Sequence, residues 1–378
     1  MMRTVGILGG GQLARMLAMA AVPLGVRVLV LDTSGDACAG EVATLIEADY
    51  TDEAALAEFA DLVDVVTFDF ENVPASSAEW LAQRVPVFPN PGALATVQDR
   101  LSEKTLFSDL GLATPEFAAV DTREDLEAAV ARIGLPAVLK TRRLGYDGKG
   151  QARLRQAADL DIGWQALGAG RVPLILEAFV PFQRELSVVA VRSREGELRT
   201  WPLTRNWHEN GILSLSVSPI PVDDDLADQA TRFARRVAER LDYVGVFALE
   251  LFEHDGRLLG NEMAPRVHNS GHWTIEGAHS SQFENHLRAV LGLPLGDTAG
   301  RGASAMLNFI GQLPDLATAL TIPGLHWHDY GKQPREGRKV GHATLCTQDL
   351  RSLHRRLGEA ASAFAHPAWA PAATELGL

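Results

Sequence analysis

The sequence predicts an α/β (α+β) protein: a parallel-sheet N-terminal unit, a larger mixed body and a small C-terminal unit. Three observations predict it. Strand and helix signals alternate through the first ninety residues, as parallel strands joined by crossover helices require. Beyond residue 135 apolar strands dominate, and one long pair turns on an Asp-Gly step. The 378 residues, 46% hydrophobic and 22% charged, suit two or three globular domains.

"TVGILG" (4–9) reads as a buried strand, and "GQLARMLAMAAVPLG" as an amphipathic helix ending near Gly25. "VRVLVLD" is a strand ending at Asp32, "EAALAEFADLV" a helix, and "DVVTFDFENV" (64–73) a further strand. Turn residues in "VFPNPG" (87–92) close this unit. "DRLSEKTLFSDLG" is a helix stopped at Gly111, and "LPAVLKT" is a strand feeding the glycine-rich "RRLGYDGKGQAR". "PLILEAFVPF" and "ELSVVAVRS" are strands, "LADQATRFARRVAERLD" is an amphipathic helix, and "VGVFALELFEHDGRLLGNEMAP" is a hairpin turning at Asp255-Gly256. After about residue 300 a smaller unit carries the basic run "GKQPREGRKVGH" (331–342) and a final helix around "LRSLHRRLGEAASAF".

Composition excludes several classes. A net charge of −13 argues against nonspecific binding to nucleic acid or to an anionic membrane, so a polyanionic ligand must meet locally placed basic groups. Nothing approaches the roughly 18 apolar residues of a membrane span, and the apolar start breaks at glycines as a strand does, not as a signal peptide. Cys38 and Cys346 are far apart and offer neither a disulfide framework nor a metal cluster, which suits a cytoplasmic protein.

Five stretches carry chemistry. Gly9-x-Gly11-x-x-Ala14 lies between a strand and a helix, with Asp32 where a ribose-binding acid would sit. It fits a dinucleotide, a mononucleotide or a plain tight turn. Lys140 ends an apolar strand, and the loop after it, carrying Lys149, can fold over phosphates, though it is no Walker A loop and a surface hairpin would read the same. Glu250 lies five residues before Asp255 and Glu262 six after Gly256, so the ladder brings the two carboxylates together on one face. Two unpaired carboxylates side by side call for a cation, and Mg²⁺ with phosphates fits. Finally, "NEMAPRVHNSGHWT" (261–274) crowds hydrogen-bonding side chains with no apolar period, as a site for a charged substrate requires. Glu177 to Val180 and Glu185 allow an adenine hinge and a ribose acceptor, or an ordinary strand with surface acids.

A strand lysine, a glycine-rich flap, a hinge and a late Glu…Asn-Glu pair occur in that order, and the chain resembles the ATP-grasp superfamily. "GGGQLARM", "TFDFENV", "KTRRLGYDGKGQ", "TRNWHENGIL", "NEMAPRVHNSGHWT" and "GRKVGH" resemble, along nearly the whole chain, the N5-carboxyaminoimidazole ribonucleotide synthase family. The resemblance implies an ATP- and bicarbonate-dependent carboxylation of aminoimidazole ribonucleotide in purine synthesis, through carboxyphosphate. It implies a Rossmann-like domain at 1–98, an ATP-grasp domain at 99–295 with a lid near 112–180, and a C-terminal domain at 296–378.

By position, Arg100, Lys104 and Lys140 would contact ATP beneath a flap of Gly145, Tyr146, Asp147, Gly148, Lys149, Gly150 and Gln151. Glu177, Ala178, Phe179 and Val180 would form the hinge, Glu185 would hold the ribose, His208 and Asn261 would adjoin the nucleotide, and Glu250 and Glu262 would bind Mg²⁺. The ribonucleotide would meet Gln12, Leu13, Glu71, Tyr146, Asp147, Arg266, Lys332 and Arg338. Arg266, His268, Asn269, Ser270 and Tyr146 would act where bicarbonate reacts. Family members are commonly homodimers. Two departures stand out: Asp69 replaces the Glu of "TFEFEN", and Leu144 replaces a flap glycine, which should stiffen the flap. Competing expectations are a formate- or biotin-directed ATP-grasp ligase, a nucleotide sensor without turnover, and a dehydrogenase resting on the glycine loop alone.

Overall fold

The structure, a computed structural model, describes residues 2–145 and 149–370. The expectations placed on Tyr146, Asp147 and Gly148 lie outside the described residues.

Strands β1 (Thr4–Leu8), β2 (Arg27–Asp32), β3 (Thr44–Glu47) and β4 (Val65–Phe68) form a parallel sheet in the order β3-β2-β1-β4. Helices cover both faces, which is why β1 is buried at every position. Val5, Ile7 and Val30 pack with Leu13 and Leu17 of helix Gln12–Ala21, whereas Leu8, Leu31 and Phe68 pack with Leu56 and Phe59 of helix Glu53–Leu62. The strand expected over 64–73 stops at Phe68 because Asp69 turns inward. Its Oδ2 accepts from Gly11 N–H and its Oδ1 from Ala14 N–H, both at 2.7 Å, so a carboxylate from the far strand caps the first helix.

Strands β5 (Phe117–Val120), β6 (Ala137–Thr141), β7 (Gln151–Leu154) and β8 (Leu174–Ala178) form an antiparallel sheet, β5-β8-β6-β7. Helices Arg123–Ile133 and Asp159–Ala166 back it around a core of its own that includes Leu126, Leu139 and Trp164.

The remaining strands are β9 (Arg184–Arg192), β10 (Leu198–Thr200), β11 (Thr204–Glu209), β12 (Ile212–Ser218), β13 (Gly245–His254), β14 (Arg257–Ala264), β15 (Ala303–Ile310), β16 (Leu325–Asp329) and β17 (Lys339–Thr347). They form one nine-stranded sheet, β14-β13-β9-β11-β12-β15-β17-β16, with β10 paired to β9. Pairing thus runs unbroken across residue 295, from β12 to β15. The hairpin turns where expected, with Asp255 at φ 50° and Gly256 at φ 71°, the two positive values a primed turn needs.

Period two sorts this sheet's faces. Leu186, Val188, Phe247, Leu249 and Leu251 pack under helix Asp224–Arg240. Val189, Val191, Val246 and Ala248 lie on the other face with helix Gln282–Val290, and that row continues into Ser187, Glu185 and Glu250, where the core ends and a polar crevice begins. Among the described residues no helix is long and apolar enough to cross a membrane.

Candidate active site

The hairpin sets the first pair of groups. Glu250 stands in direct register with Glu262, as the offsets from the turn predict. The register then slips so that Leu251 pairs with Gly260, leaving Asn261 as the extra residue of a β-bulge. Sequence reading does not see this slip. It takes Asn261 out of strict alternation, and its Oδ1 is buried without a partner among the described residues.

The two acids are not unpaired, which corrects one step of the sequence argument. Arg100 Nη1 donates to Glu262 Oε2 at 2.7 Å, and His268 Nε2 lies 3.0 Å from Glu250 Oε1. Burial alone would push the Glu262 carboxyl up, but the charge and hydrogen bond of Arg100 hold it down to about 2. The chain itself thus supplies a partner to each carboxylate, so repulsion between them does not by itself demand a metal ion.

A second cluster joins three distant segments. Glu177 Oε2 accepts from Lys140 Nζ at 2.9 Å and sits 3.3 Å from Lys104 Nζ, which also donates to Gly260 O at 3.2 Å. Lys104 is fully buried, and burial lowers its pKa, whereas the two lysine charges outweigh burial at Glu177 and hold its carboxyl at about 2. Beside them Glu103, accepting from Met263 N–H at 2.6 Å, is pushed up to about 8 by burial and by the charge of Glu262.

Arg100 Nη2 reaches Gly145 O at 3.3 Å, tying the cluster to the base of the glycine-rich loop. Gly150 has φ 71°, and a Cβ there would stand 2.6 Å from Thr141 Oγ1, so that position needs glycine. Leu144 takes φ 63° and is largely exposed, the left-handed conformation that a glycine would adopt without strain. The departure is therefore accommodated in the backbone at Leu144 itself. The base of the loop is further held by Arg142, which donates twice to Asp99 at 2.9 and 2.7 Å; sequence reading did not single out either residue.

Arg100, Lys104, Lys140, Gly145, Glu177 and Glu262 thus come together as expected, and Gln151 lies opposite Lys140 in the β6–β7 ladder. Glu185 meets His208, Oε2 to Nδ1 at 2.7 Å, across strands β9 and β11 and beside a bulge at Trp207/His208. Burial favours the neutral His208 ring, but the bond to Glu185 outweighs it and raises the pKa. Phe182 stacks on Phe252 at 4.7 Å nearby, and Phe179 is exposed at the hinge.

The glycine loop after β1 is not free to hold a pyrophosphate. Gly10 N–H is taken by Asp32 Oδ2 at 2.6 Å, and the amides of Gly11 and Ala14 are taken by Asp69. A Cβ on Gly11 would stand 2.4 Å from Asp69 Oδ2. The tight-turn reading holds, and the dinucleotide expectation falls because carboxylates already occupy the donors.

Past this turn, Gln12 Oε1 accepts from Lys332 Nζ, and Glu71 Oε2 accepts from Arg266 Nε. Lys332 and Arg266 therefore approach from segments far apart in the chain. Arg338 Nη1 instead donates to Gln333 O at 3.2 Å within its own loop. His268 to Ser270 cross the floor. Asn269 exchanges two amide hydrogen bonds with Asn308, at 3.1 and 2.6 Å. Ser270 is fully buried behind His268, its Oγ 2.9 Å from His268 Nδ1, so it lies under the histidine and not beside it in the crevice. Gln282 clamps His268 at both its N–H (2.9 Å) and its C=O (2.7 Å). Sequence reading missed Asn308, Gln282, Ser187 and Asn206; the alternation in "ILSLSVS" and "RELSVVAVR" marks polar positions on one sheet face, but not what they meet.

Clustered lysines and acids under a glycine-rich loop, between two antiparallel sheets, define an ATP-grasp ligase. The ATP-grasp domain family matches residues 105–283, the ribonucleotide synthetase preATP-grasp domain family residues 2–98, and the phosphoribosylaminoimidazole carboxylase C-terminal domain family residues 304–356. The chain is 56% identical over 355 residues to N5-carboxyaminoimidazole ribonucleotide synthase of Pseudomonas aeruginosa, covering 94% of this chain and 98% of that one. It superposes on the crystal structure of the Thermus thermophilus synthetase with a TM-score of 0.92 at 53% identity, covering 96% and 99% of the two chains. The Aspergillus clavatus synthase, solved in complex with ADP and 5-aminoimidazole ribonucleotide, superposes with a TM-score of 0.90 at 31% identity over 96% and 99%. The chain belongs to the N5-carboxyaminoimidazole ribonucleotide synthase family, ATP-dependent ligases of purine biosynthesis.

Proposed function

We propose that this chain carboxylates 5-aminoimidazole ribonucleotide at its exocyclic amine, using ATP and bicarbonate, and releases N5-carboxyaminoimidazole ribonucleotide, ADP and phosphate. One observation carries the reading. The hairpin that pairs Glu250 with Glu262 runs directly into Arg266 and His268, so the acids facing a nucleotide adjoin the groups facing a small anion.

Bicarbonate is a poor electrophile until its oxygen attacks the γ-phosphorus of ATP; the resulting carboxyphosphate has phosphate as its leaving group and can transfer its carboxyl to the amine. The residues contribute positioning and charge. Lys104, Lys140 and Arg100 neutralise the triphosphate beneath the loop starting at Gly145. The amides of Ala178 and Phe179 are bound to Glu116 O and Pro136 O, which supports giving the adenine contact in the hinge to Val180. Glu185, with His208 behind it, receives the ribose hydroxyls. Glu250, Glu262 and Asn261 Oδ1, buried without a partner among the described residues, are hard oxygen donors that fit Mg²⁺ together with phosphate oxygens. Bound there, Mg²⁺ would offset charge on the transferring phosphoryl group. Arg266, His268 and Asn269 face the bicarbonate, and Gln12, Leu13, Glu71 and Lys332 the ribonucleotide, with Arg338 turning in from its loop. Water must be kept out, because it would hydrolyse the intermediate.

We assign residues 1–98, 99–295 and 296–378 to the three domains, and place the protein as a cytoplasmic homodimer; sedimentation tests the dimer. The activity is tested by ADP release with ATP, bicarbonate and aminoimidazole ribonucleotide, omitting each in turn. ADP formation should require the ribonucleotide and yield an acid-labile carbamate. An unchanged rate without it, or stimulation by formate or biotin in its place, overturns the reading.

A further inference from the structure

Strand β14 ends the nine-stranded sheet, so the outer backbone groups around its bulge have no neighbouring strand to pair with. Helix Arg100–Asp109 takes the place of that strand. Residues 100, 103, 104 and 107 recur at the spacing of one helix face, and each meets β14. Glu103 Oε1 accepts from Met263 N–H at 2.6 Å, and Lys104 Nζ donates to Gly260 O at 3.2 Å. Arg100 Nη1 donates to Glu262 Oε2 at 2.7 Å. A Cβ on Gly260 would stand 3.0 Å from Phe107 Cδ2, so the ring packs against bare backbone there. Beyond the helix the chain returns to the same edge, where Ala113 O accepts from Gly260 N–H at 2.8 Å.

These contacts bracket the bulge. Gly260 is tied through both its N–H and its C=O, and Met263 through its N–H. Between the two anchors lie Asn261 and Glu262, the residues whose oxygens face the nucleotide in the proposed function. A bulge disrupts the ladder locally and re-aims the side chains it carries. At a sheet's edge it is held from the inner side alone unless something covers the outer one. Lysine, arginine and phenylalanine cannot accept a backbone hydrogen, so Glu103 is the acceptor on this helix face, and it is buried.

We infer that Glu103 is a positioning residue: through Met263 N–H it fixes the outer side of the bulge, so that Asn261 Oδ1 and Glu262 are presented to the nucleotide's phosphates and their cation. This rests on the proposed role of Asn261 and Glu262 in holding Mg²⁺ with the nucleotide. Glu103 acts from behind the strand, as the groups that orient a metal's ligands do. The same helix face also supplies the guanidinium that pairs with Glu262, so the backbone and the side chain are set from one rigid element.

The test compares substitutions of Glu103 in the full-length enzyme. Glu103→Gln keeps an oxygen that can accept from Met263 N–H, whereas Glu103→Met has the same length and no oxygen there. Both lack the charge, so the difference between them reads the hydrogen bond. Glu103→Asp keeps the charge but draws the oxygen back by one methylene. Turnover is measured beside calorimetric binding of ADP with and without Mg²⁺. Glu103→Gln should keep the wild-type kcat and the wild-type tightening of ADP by Mg²⁺. In Glu103→Met and Glu103→Asp both kcat and that tightening should fall about 10- to 100-fold, the range for groups that orient a metal's ligands. Binding of ADP without Mg²⁺ and KM for the ribonucleotide should not change, because their contacts lie on other segments. Equal kcat in Glu103→Gln and Glu103→Met overturns the inference. So does a Glu103→Met enzyme that melts early but turns over and binds Mg-ADP like wild type, since Glu103 would then serve the fold alone. If Glu103→Met does not fold, Glu103→Asp decides in its place, and loss of the fold in both makes the bond a folding contact and overturns the inference too. A fall of about tenfold or more in Glu103→Gln overturns it by itself. No effect of Mg²⁺ on ADP in the wild-type protein removes the premise and the inference with it. If wild type binds Mg-ADP but makes no carbamate, the proposed function fails, and the calorimetry still decides the role of Glu103.

Discussion

At the scale of single residues, charge partners decide what a substitution does. Glu262 is held by Arg100 at 2.7 Å, so replacing its carboxylate leaves a guanidinium in need of an acceptor. An amide keeps that acceptor. Glu262→Gln should therefore fold, while losing the charge that we propose holds Mg²⁺ against the phosphates. A fall of about 10²- to 10³-fold in kcat is expected, as for other preorganised electrostatic groups. Circular dichroism and ADP release across a Mg²⁺ titration check this together. A rate restored to the wild-type value by excess Mg²⁺ would limit Glu262 to affinity, and an unchanged rate would remove it from the metal site. Asp69 shows the same dependence on partners: its carboxylate caps a helix through Gly11 and Ala14 while burial pushes its carboxyl up.

At the scale of elements, helix Gln282–Val290 acts as a staple between two sheets. His286 Nδ1 accepts from Val246 N–H in β13 at 3.0 Å, and its Nε2 lies 2.7 Å from Thr67 Oγ1 in β4. The first bond requires a bare Nδ1, so the ring is neutral and donates to Thr67. Gly245, at φ 114°, brings the backbone close enough that a Cβ there would stand 3.0 Å from the ring. Burial drives the His286 pKa down from 6.5 to about 4.

The sign follows from proton counts. Between those two values the unfolded chain binds the proton and the folded chain does not, so stability falls as pH drops from about 6.5 to about 4 and then levels. Over that window His286 alone should account for a loss on the order of 3 kcal/mol. His272 and His342, likewise buried and lowered by burial, should add to it in the same direction. Denaturant midpoints at a series of pH values measure the slope. In His286→Gln it should flatten by about one proton; an unchanged slope would place the titration elsewhere.

At the scale of the whole molecule, the nine-stranded sheet makes the C-terminal segment part of the same body as the hairpin. β12 pairs through Leu215–Ser218 with β15, and Leu215 and Val217 share a core with Ala305, Leu307 and Leu357. Removing residues 296–378 would leave β12 as a long apolar edge and uncover that core. A chain of residues 1–295 should accumulate as aggregate, and Lys332 and its contact with Gln12 would be lost with it. Light scattering and solubility against the full chain test this; a soluble, monodisperse 1–295 fragment would show that the pairing of β12 with β15 is dispensable.

The parallel N-terminal sheet, the Asp255-Gly256 hairpin, the facing of Glu250 and Glu262 and the strand lysine before a glycine loop were all legible in the residues. Each depends on a period of two or 3.6, or on counting from a turn, and that information lies within about a dozen positions. Packing alone decided which partner each polar group found. Arg100 reaches Glu262 across 162 positions, Lys332 reaches Gln12 across 320, and Ser187 reaches Ser270 across 83. The glycine loop looked free to hold phosphate until Asp32 and Asp69 were seen to occupy its amides. The bulge at Asn261 and the unbroken sheet from β14 to β16 are likewise invisible to local pattern. Backbone periodicity says which face a side chain takes, whereas a hydrogen bond or ion pair depends on what the folded chain brings opposite that face.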